Sequence, residues 1–357
     1  MKKTVLLILA LTLCALSFCS CSMKNQSDSG EIHVFYYTYS DTYISSVRGA
    51  LDKALDSANL KYRDHDGNGN QTTQTEQIQT AITSGAKCLL VNIVNTGSDD
   101  AAMGIVNLAK GANIPVIFFN REVSDEVIKS YDKCAFVGTR AEEAGYLQGE
   151  MIGEYIIQNY NNVDKNGDGK ISYVMFKGEE GNNEAIYRTK YAVEEANKIL
   201  AKFDKPALEF YDSSNRDKYL VDKNGQWSAQ AANEYMTTIL SSYNDKGNNT
   251  VELVICNNDG MAEGVVSALN SVGYNAGDND KFIPVFGVDA TDAARELIKS
   301  NRMAGTIKQD AEGMAEALCL IAKNTVEGKG LLDGTEEYSI DEGINKIRIA
   351  YSKYLGE

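Results

Sequence analysis

From residue 31 onward the chain alternates between two hydrophobic patterns. Short runs rich in apolar, β-branched and aromatic residues occur at 32–39, 87–94, 115–120, 135–138, 171–176, 208–211, 251–256 and 283–288. Between them the apolar positions recur at helical spacing. Val47, Leu51, Ala54, Leu55 and Ala58 share one helix face, as do Ala262, Val265, Val266 and Leu269. Continuous apolar strands separated by amphipathic helices predict parallel sheets covered on both faces, an α/β fold. The length allows two such sheets, with a break near residues 138–141.

The first 30 residues read differently. Lys2 and Lys3 precede an uncharged, largely apolar stretch, Val5 to Phe18, followed by Cys19-Ser20-Cys21. A positive start, an apolar core and a small residue at the cleavage point predict a secretory signal at 1–20. The run is shorter than the roughly 20 residues a membrane span requires. Cleavage after Ser20 would make Cys21 a lipid-bearing N-terminus, as in bacterial lipoproteins; cleavage without lipid is the alternative. Polar, small residues then make 21–30 a tether.

Charge and composition remove several function classes. The chain carries 35 Lys and Arg against 50 Asp and Glu, a net charge of −15. Such a surface repels phosphate backbones, so no nucleic-acid partner is expected. Only two histidines are present, His33 and His65, and no Ser/His/Asp or Cys/His signature accompanies them. Cys88, Cys134, Cys256 and Cys319 sit in apolar runs at irregular spacing and read as buried free thiols.

The strand ends carry the candidate chemistry. Open parallel sheets bind ligands where strands give way to loops. Those positions hold Tyr39-Ser40-Asp41, Asn120-Arg121-Glu122, Lys177-Gly178-Glu179, Asn257-Asn258-Asp259, Asp289 and Gln309-Asp310. Carboxylates, amides and an arginine without an activated nucleophile suit a cleft that binds a polyol, because each group pairs hydroxyls as donor or acceptor. The plainer reading is that Asp and Asn cap the helices that follow.

A second signal is Asp164-Lys165-Asn166-Gly167-Asp168-Gly169-Lys170-Ile171-Ser172. Oxygen donors at loop positions 1, 3 and 5, glycine at 6, a carbonyl at 7 and a hydroxyl at 9 have calcium-loop spacing. The twelfth position is Met175 rather than glutamate. Asp64-His65-Asp66-Gly67-Asn68-Gly69 copies the opening letters and is read as a polar loop after a strand, with a second metal site as the alternative. Asp222-Lys223-Asn224-Gly225-Gln226 is read as a turn.

The order of these motifs resembles that of the periplasmic D-galactose/D-glucose-binding proteins of sugar ABC transporters, from about Ile32 to Tyr351. It is carried by Tyr37-x-Tyr39-x-Asp41, Ile114-Pro-Val-Ile-Phe-Phe-Asn120, Tyr131-Asp132-Lys133, Val137-Gly138-Thr139, Lys177-Gly178-Glu179, Arg188-Thr189, Asn257-Asn258-Asp259, Pro284-Val-Phe-Gly-Val-Asp289 and Ala304-Gly305-Thr306. The resemblance implies two Rossmann-like lobes with parallel sheets, joined by a three-segment hinge (the type I periplasmic-binding-protein fold). It would place 31–138 plus 311–344 in the N-terminal lobe and 141–307 plus 347–357 in the C-terminal lobe. The crossings would fall at 138–140, 308–310 and 345–346.

Carried over position by position, the family's sugar site is Asp41, Asn120, Arg188, Trp227, Asn258 and Asp289 unchanged. Tyr43 stands for a stacking phenylalanine, Asn182 for a histidine, Glu184 for an aspartate and Gln309 for an asparagine. Trp227 and Tyr43 would sandwich the apolar faces of a pyranose. The metal shell would be Asp164, Asn166, Asp168, Lys170 and Ser172, closed by the distant Glu252, around a structural Ca2+. The function implied is a monomeric, extracytoplasmic, lipid-tethered protein that delivers a monosaccharide, glucose or galactose, to an ABC permease. It would not be an enzyme.

Three rivals differ in class. A sensor subunit would present sugar to a membrane chemoreceptor or histidine kinase. A transcription regulator with this core would need a basic headpiece where the signal stands. An exported glycosidase would use paired carboxylates such as Glu179 and Glu184.

Overall fold

In the computed structural model, residues 31–243, 249–277 and 281–356 are described. The expected signal and tether, with Cys21, lie outside them. The described residues build two sheets, each of seven strands. In the N-terminal lobe, β1 (Ile32–Tyr36), β2 (Tyr62–Asp66), β3 (Cys88–Val91), β4 (Val116–Phe119) and β5 (Cys134–Gly138) run parallel in the order 5-4-3-1-2. Every residue of β1, β3, β4 and β5 is buried, which is why these strands read as apolar without alternation.

The helices of this lobe include α1 (Thr42–Ser57), α2 (Gln71–Thr83), α3 (Asp100–Gly111) and α4 (Asp125–Lys129). The chain then crosses over. In the C-terminal lobe, α5 (Ala141–Val163), β6 (Ser172–Lys177), α6 (Asn183–Lys202), the short strands β7 (Glu209–Phe210) and β8 (Leu220–Val221), and α7 (Ala229–Ser242) come first. They are followed by β9 (Leu253–Cys256), α8 (Asp259–Ser271), β10 (Val285–Asp289), α9 (Asp292–Lys299) and β11 (Gly305–Gln309). The chain returns through α10 (Ala311–Glu327), which packs on α1, and closes with β12 (Ser339–Ile340), β13 (Lys346–Arg348) and β14 (Tyr351–Tyr354).

A pair of helices in the second lobe shows how sequence sets packing. Gly145, Gly149 and Gly153 lie four apart on one face of α5. A Cβ on them would stand 2.6 Å from the Tyr187 carbonyl oxygen, 2.6 Å from Glu195 Cβ and 2.7 Å from Ile199 Cβ. Glycine there lets α6 approach closer than any side chain would allow.

The structure corrects the sequence reading in four places. Asp64-His65-Asp66 is part of the edge strand β2, paired with β1, rather than a loop. Successive side chains there point to opposite faces, so the segment does not curl around an ion. Lys346–Arg348 pairs parallel to β5, so residues 347 and 348 belong to the N-terminal sheet and the last crossing falls at Ile349 and Ala350. β11 extends to Gln309, which pairs with Tyr351 of the antiparallel β14, moving the second crossing to Asp310. The first apolar run forms strand only to Tyr36, its last residues turning toward α1. Cys88, Cys134, Cys256 and Cys319 are free thiols, the last only half-buried.

Candidate functional site

All ten residues assigned to the site line one cavity between the lobes, together with Tyr37, Ile44 and Arg121. From the N-terminal lobe come Asp41 and Tyr43 at the start of α1 and Asn120 after β4. From the C-terminal lobe come Asn182, Glu184 and Arg188 at the start of α6, Trp227 before α7, Asn258 before α8, and Asp289 and Gln309 at the ends of β10 and β11. Counted out to its mouth, the cavity is about 370 Å3. The two histidines are elsewhere, with His33 Nδ1 2.9 Å from His65 Nε2.

Both readings of the Asp and Asn positions hold at once. Asp41 Oδ1 accepts from Ile44 N at 2.8 Å, Asn182 Oδ1 from Ala185 N at 3.0 Å, and Asn258 Oδ1 from Met261 N at 2.9 Å. Three helix N-termini are therefore capped by residues that also line the cavity. Capping fixes each side chain and leaves its second polar atom for another partner. That partner for Asp41 Oδ2 is the Tyr37 hydroxyl, at 2.7 Å. Asn258 Nδ2 donates to the Trp227 carbonyl at 3.3 Å.

Arg188 is the hub. Its Nη1 donates to the Asn257 carbonyl at 2.9 Å, and its Nη2 donates to Gln309 Oε1 at 3.1 Å and to the Tyr351 hydroxyl at 2.9 Å. Asp289 stands 3.9 Å away, and the guanidinium lies 5.7 Å from the Trp227 ring centre. Burial opposes the charge on Arg188, yet Tyr351, Asp289 and Glu184 outweigh it and hold the guanidinium protonated. Burial pushes the carboxyls of Asp289 and Glu184 above the usual carboxylate range.

The indole of Trp227 rests on Gly178, where a Cβ would stand 2.1 Å from indole Cδ2. Trp227 and Asn120 hold φ of +54° and +60°, and Asp289 holds +128°. Left-handed backbone at a tryptophan costs of order 1–3 kcal/mol, and such strain concentrates at ligand sites. Tyr43 is buried, its hydroxyl 4.0 Å from the sulfur of Met314.

Four residues that line this cavity each keep a buried polar atom with no partner in the protein: Arg121 Nε, Glu184 Oε2, Arg188 Nε and Gln309 Nε2. Unpartnered polar groups are costly inside a protein, and four such residues around one space suit a polar guest. The sequence reading omitted Arg121 and Tyr37, although both sit in motifs it used. Arg121 stacks on the Tyr37 ring at 4.2 Å and pairs with Glu179 across the lobes. Strand-end position was the available signal. What it lacked was the facing lobe.

The second motif is a curled loop. Asp164 accepts from Gly167 N and Gly169 N at 2.8 and 2.9 Å, Asn166 Oδ1 from Asp168 N at 2.9 Å, and Asp168 Oδ1 from Lys170 N at 2.8 Å. Glu252 reaches it from 87 residues away in sequence, accepting from Lys165 N at 2.7 Å and Ser172 N at 2.8 Å. Ser172 Oγ donates to the Thr250 carbonyl at 2.8 Å, and the Lys170 ammonium pairs with Glu209. Among the described residues no three His, Cys, Asp or Glu groups stand at metal-holding distance. The donors gathered here are nonetheless all hard oxygens, the chemistry a calcium ion takes.

Two α/β lobes with a polar cavity between them have the layout of a protein that holds a small ligand between its lobes. The sequence pattern of the periplasmic binding protein domain matches residues 32–330, and the chain belongs to that family. It is 34% identical over 337 residues to the D-galactose/methyl-galactoside binding periplasmic protein of Haemophilus influenzae, covering 94% of this chain and 92% of that one. Its fold is similar to that of an ABC transporter solute binding protein from Bacillus halodurans with bound myo-inositol, with a TM-score of 0.68, 24% identity, and 92% and 96% of the chains covered. A solute binding protein from Clostridium phytofermentans with bound β-D-glucose gives a TM-score of 0.69 at 21% identity, covering 91% and 94%. Among the described residues no helix is long and apolar enough to cross a membrane.

Proposed function

We propose that the protein captures a sugar between its lobes and delivers it to an ABC permease, from an extracytoplasmic position secured through a lipid on Cys21. One observation carries the reading: four residues lining the cavity keep a buried polar atom without a partner, and the same cavity presents Trp227 and Tyr43. A pyranose supplies what both need, apolar C–H faces for the rings and a rim of hydroxyls for the arginines, carboxylates and amides. The ligands named for the relatives above, a galactoside, glucose and an inositol, are all hydroxylated six-membered rings, and galactose or glucose is the favoured guest here. Because the sugar touches both lobes, it stabilises the closed arrangement by its differential affinity.

Titration calorimetry with galactose, glucose, other hexoses, pentoses and inositol tests this. Binding of at least one hexose at micromolar strength or better is expected. Failure of every sugar at millimolar concentration would overturn the reading.

The loop at 164–172 with Glu252 would hold a Ca2+ as a structural clamp. Asp164, Asn166, Asp168 and Glu252 would supply side-chain oxygens and Lys170 its carbonyl.

A further inference from the structure

Asn92 lies just past the end of β3 and ties together the ends of three neighbouring strands. Its Oδ1 accepts from Tyr37 N, just past β1, at 3.2 Å. Its Nδ2 donates to the carbonyl of Phe119, the last residue of β4, at 3.2 Å and to Asn120 Oδ1 at 3.1 Å. Its own backbone is held on both sides: the N–H donates to the Phe35 carbonyl at 2.7 Å, and the carbonyl accepts from Gln74 Nε2 at 2.9 Å. Asn92 is fully buried and does not line the cavity, whereas Asn120 does.

Two backbone groups leave the amide of Asn92 one orientation. An N–H can only donate and a carbonyl can only accept, so Oδ1 must face Tyr37 and Nδ2 must face Phe119. The amide then presents its second hydrogen to Asn120, which must answer with Oδ1. What remains of the Asn120 side chain is Nδ2, a donor, which makes no hydrogen bond among the described residues.

The other amides on the cavity are oriented by other means. Asn182 and Asn258 cap α6 and α8, and a helix N–H fixes the Oδ1 of each. Gln309 Oε1 takes a hydrogen bond from Arg188. Asn120 caps nothing, since the next helix, α4, is capped by Ser124. Its left-handed backbone sets where the side chain starts, not which end of the amide faces inward.

We propose that Asn92 is a positioning residue for the sugar site: it holds Asn120 with Nδ2 toward the guest, so that this position takes a ligand oxygen able to accept and rejects a group that can only donate. The inference rests on the sugar-binding reading above. A hydroxyl or the ring oxygen of a sugar meets the demand, whereas an ammonium would set its own N–H against that of Asn120. Reversing the Asn120 amide would turn its NH2 against the NH2 of Asn92 and lose a hydrogen bond from both.

Asn92→Asp tests this. The new carboxyl keeps an acceptor for Tyr37 N, but it has a hydrogen to give Asn120 only while protonated, the form that burial favours. Calorimetry with the sugar that wild type binds is run on both proteins at about pH 5 and about pH 8. The ratio of variant to wild-type affinity removes the titration of Asp289 and Glu184, which both proteins share. The variant is expected to fall within about tenfold of wild type at the lower pH and about 100-fold below it at the higher. A ratio that does not change with pH overturns the proposal. If N92D does not fold, the decision passes to Asn92→Ser, whose neutral hydroxyl is too short to reach Asn120. N92S should weaken binding by about tenfold or more in the wild-type background and by less than about twofold beside Asn120→Ala, with melting of the ligand-free proteins recorded alongside. Equal losses in the two backgrounds would mean that Asn92 only joins the strand ends, and would overturn the proposal too. If wild type binds no sugar, the sugar-binding reading fails first and takes this one with it.

Discussion

Arg121 of the N-terminal lobe donates through Nη2 to Glu179 of the C-terminal lobe, and this ion pair spans the lobes beside the cavity that Arg121 itself lines. Arg121 is 5% exposed in this closed arrangement and stacks on Tyr37. Opening the lobes separates the partners and returns both to water.

The pair therefore contributes to closure rather than to the stability of either lobe. Removing one partner of a buried pair leaves the other charge uncompensated only while the lobes are shut. Glu179→Gln is expected to weaken ligand binding by about tenfold, about 1.4 kcal/mol, with the melting temperature of the unliganded protein nearly unchanged. Calorimetry beside thermal unfolding checks this; equal affinity in the variant would show that the pair does not bias closure.

Arg188 makes three charge-assisted donations in fixed directions. A lysine keeps the charge but cannot reproduce a planar fork. Arg188→Lys is expected to lose about 100-fold or more in sugar affinity while still folding, and circular dichroism confirms the fold alongside the binding measurement.

Trp227 is the only tryptophan in the chain. Sugar titration should change its fluorescence saturably, with the same midpoint as calorimetry. Gly178→Ala, whose Cβ would overlap the indole, is expected to shift the ring and weaken binding by about tenfold or more. A G178A variant with wild-type affinity would show that the ring's placement does not matter.

Asp259 is fully buried beneath the site, accepting from Thr306 Oγ1 at 2.6 Å and Thr291 N at 2.8 Å. Burial pushes its carboxyl up to about 7. The folded state then holds a proton that the unfolded chain releases near its ordinary value of 3.8. Unfolding loses that proton as pH rises, so this group's contribution is full below about pH 4 and falls away up to about pH 7, by up to about 4 kcal/mol. Denaturant unfolding of wild type and Asp259→Asn between pH 4.5 and 8 should show the decline in wild type and a flatter profile in the variant.

For the loop at 164–172, adding Ca2+ to chelated protein should raise the melting temperature. At about 1,000 times the dissociation constant the gain would be about 4 kcal/mol. Asp164→Ala and Glu252→Ala should each abolish the response while leaving sugar affinity within about twofold, since neither residue lines the cavity. An unchanged melting temperature in wild type would remove the metal from the account.

The repeating alternation of fully apolar strands and amphipathic helices was legible in the sequence because burial on both faces forces it. So were the strand-end positions of Asp41, Asn120, Asn258 and Asp289, since polar residues there punctuate an otherwise apolar pattern. β2 was not legible: Tyr62-Arg-Asp-His-Asp lies at a sheet edge, half in water, and carries no hydrophobic signature. Nor was the placement of β13, whose three residues join the first sheet by pairing with β5.

The roles of Tyr37, Arg121 and Glu179 belong to the tertiary structure. All three sit in motifs the linear pattern marks, but Arg121 meets Tyr37 from another strand end and Glu179 from the other lobe. Periodicity determines which face of an element is dry; only the packed chain decides which strand ends confront each other, and hence which polar atoms are left to a guest.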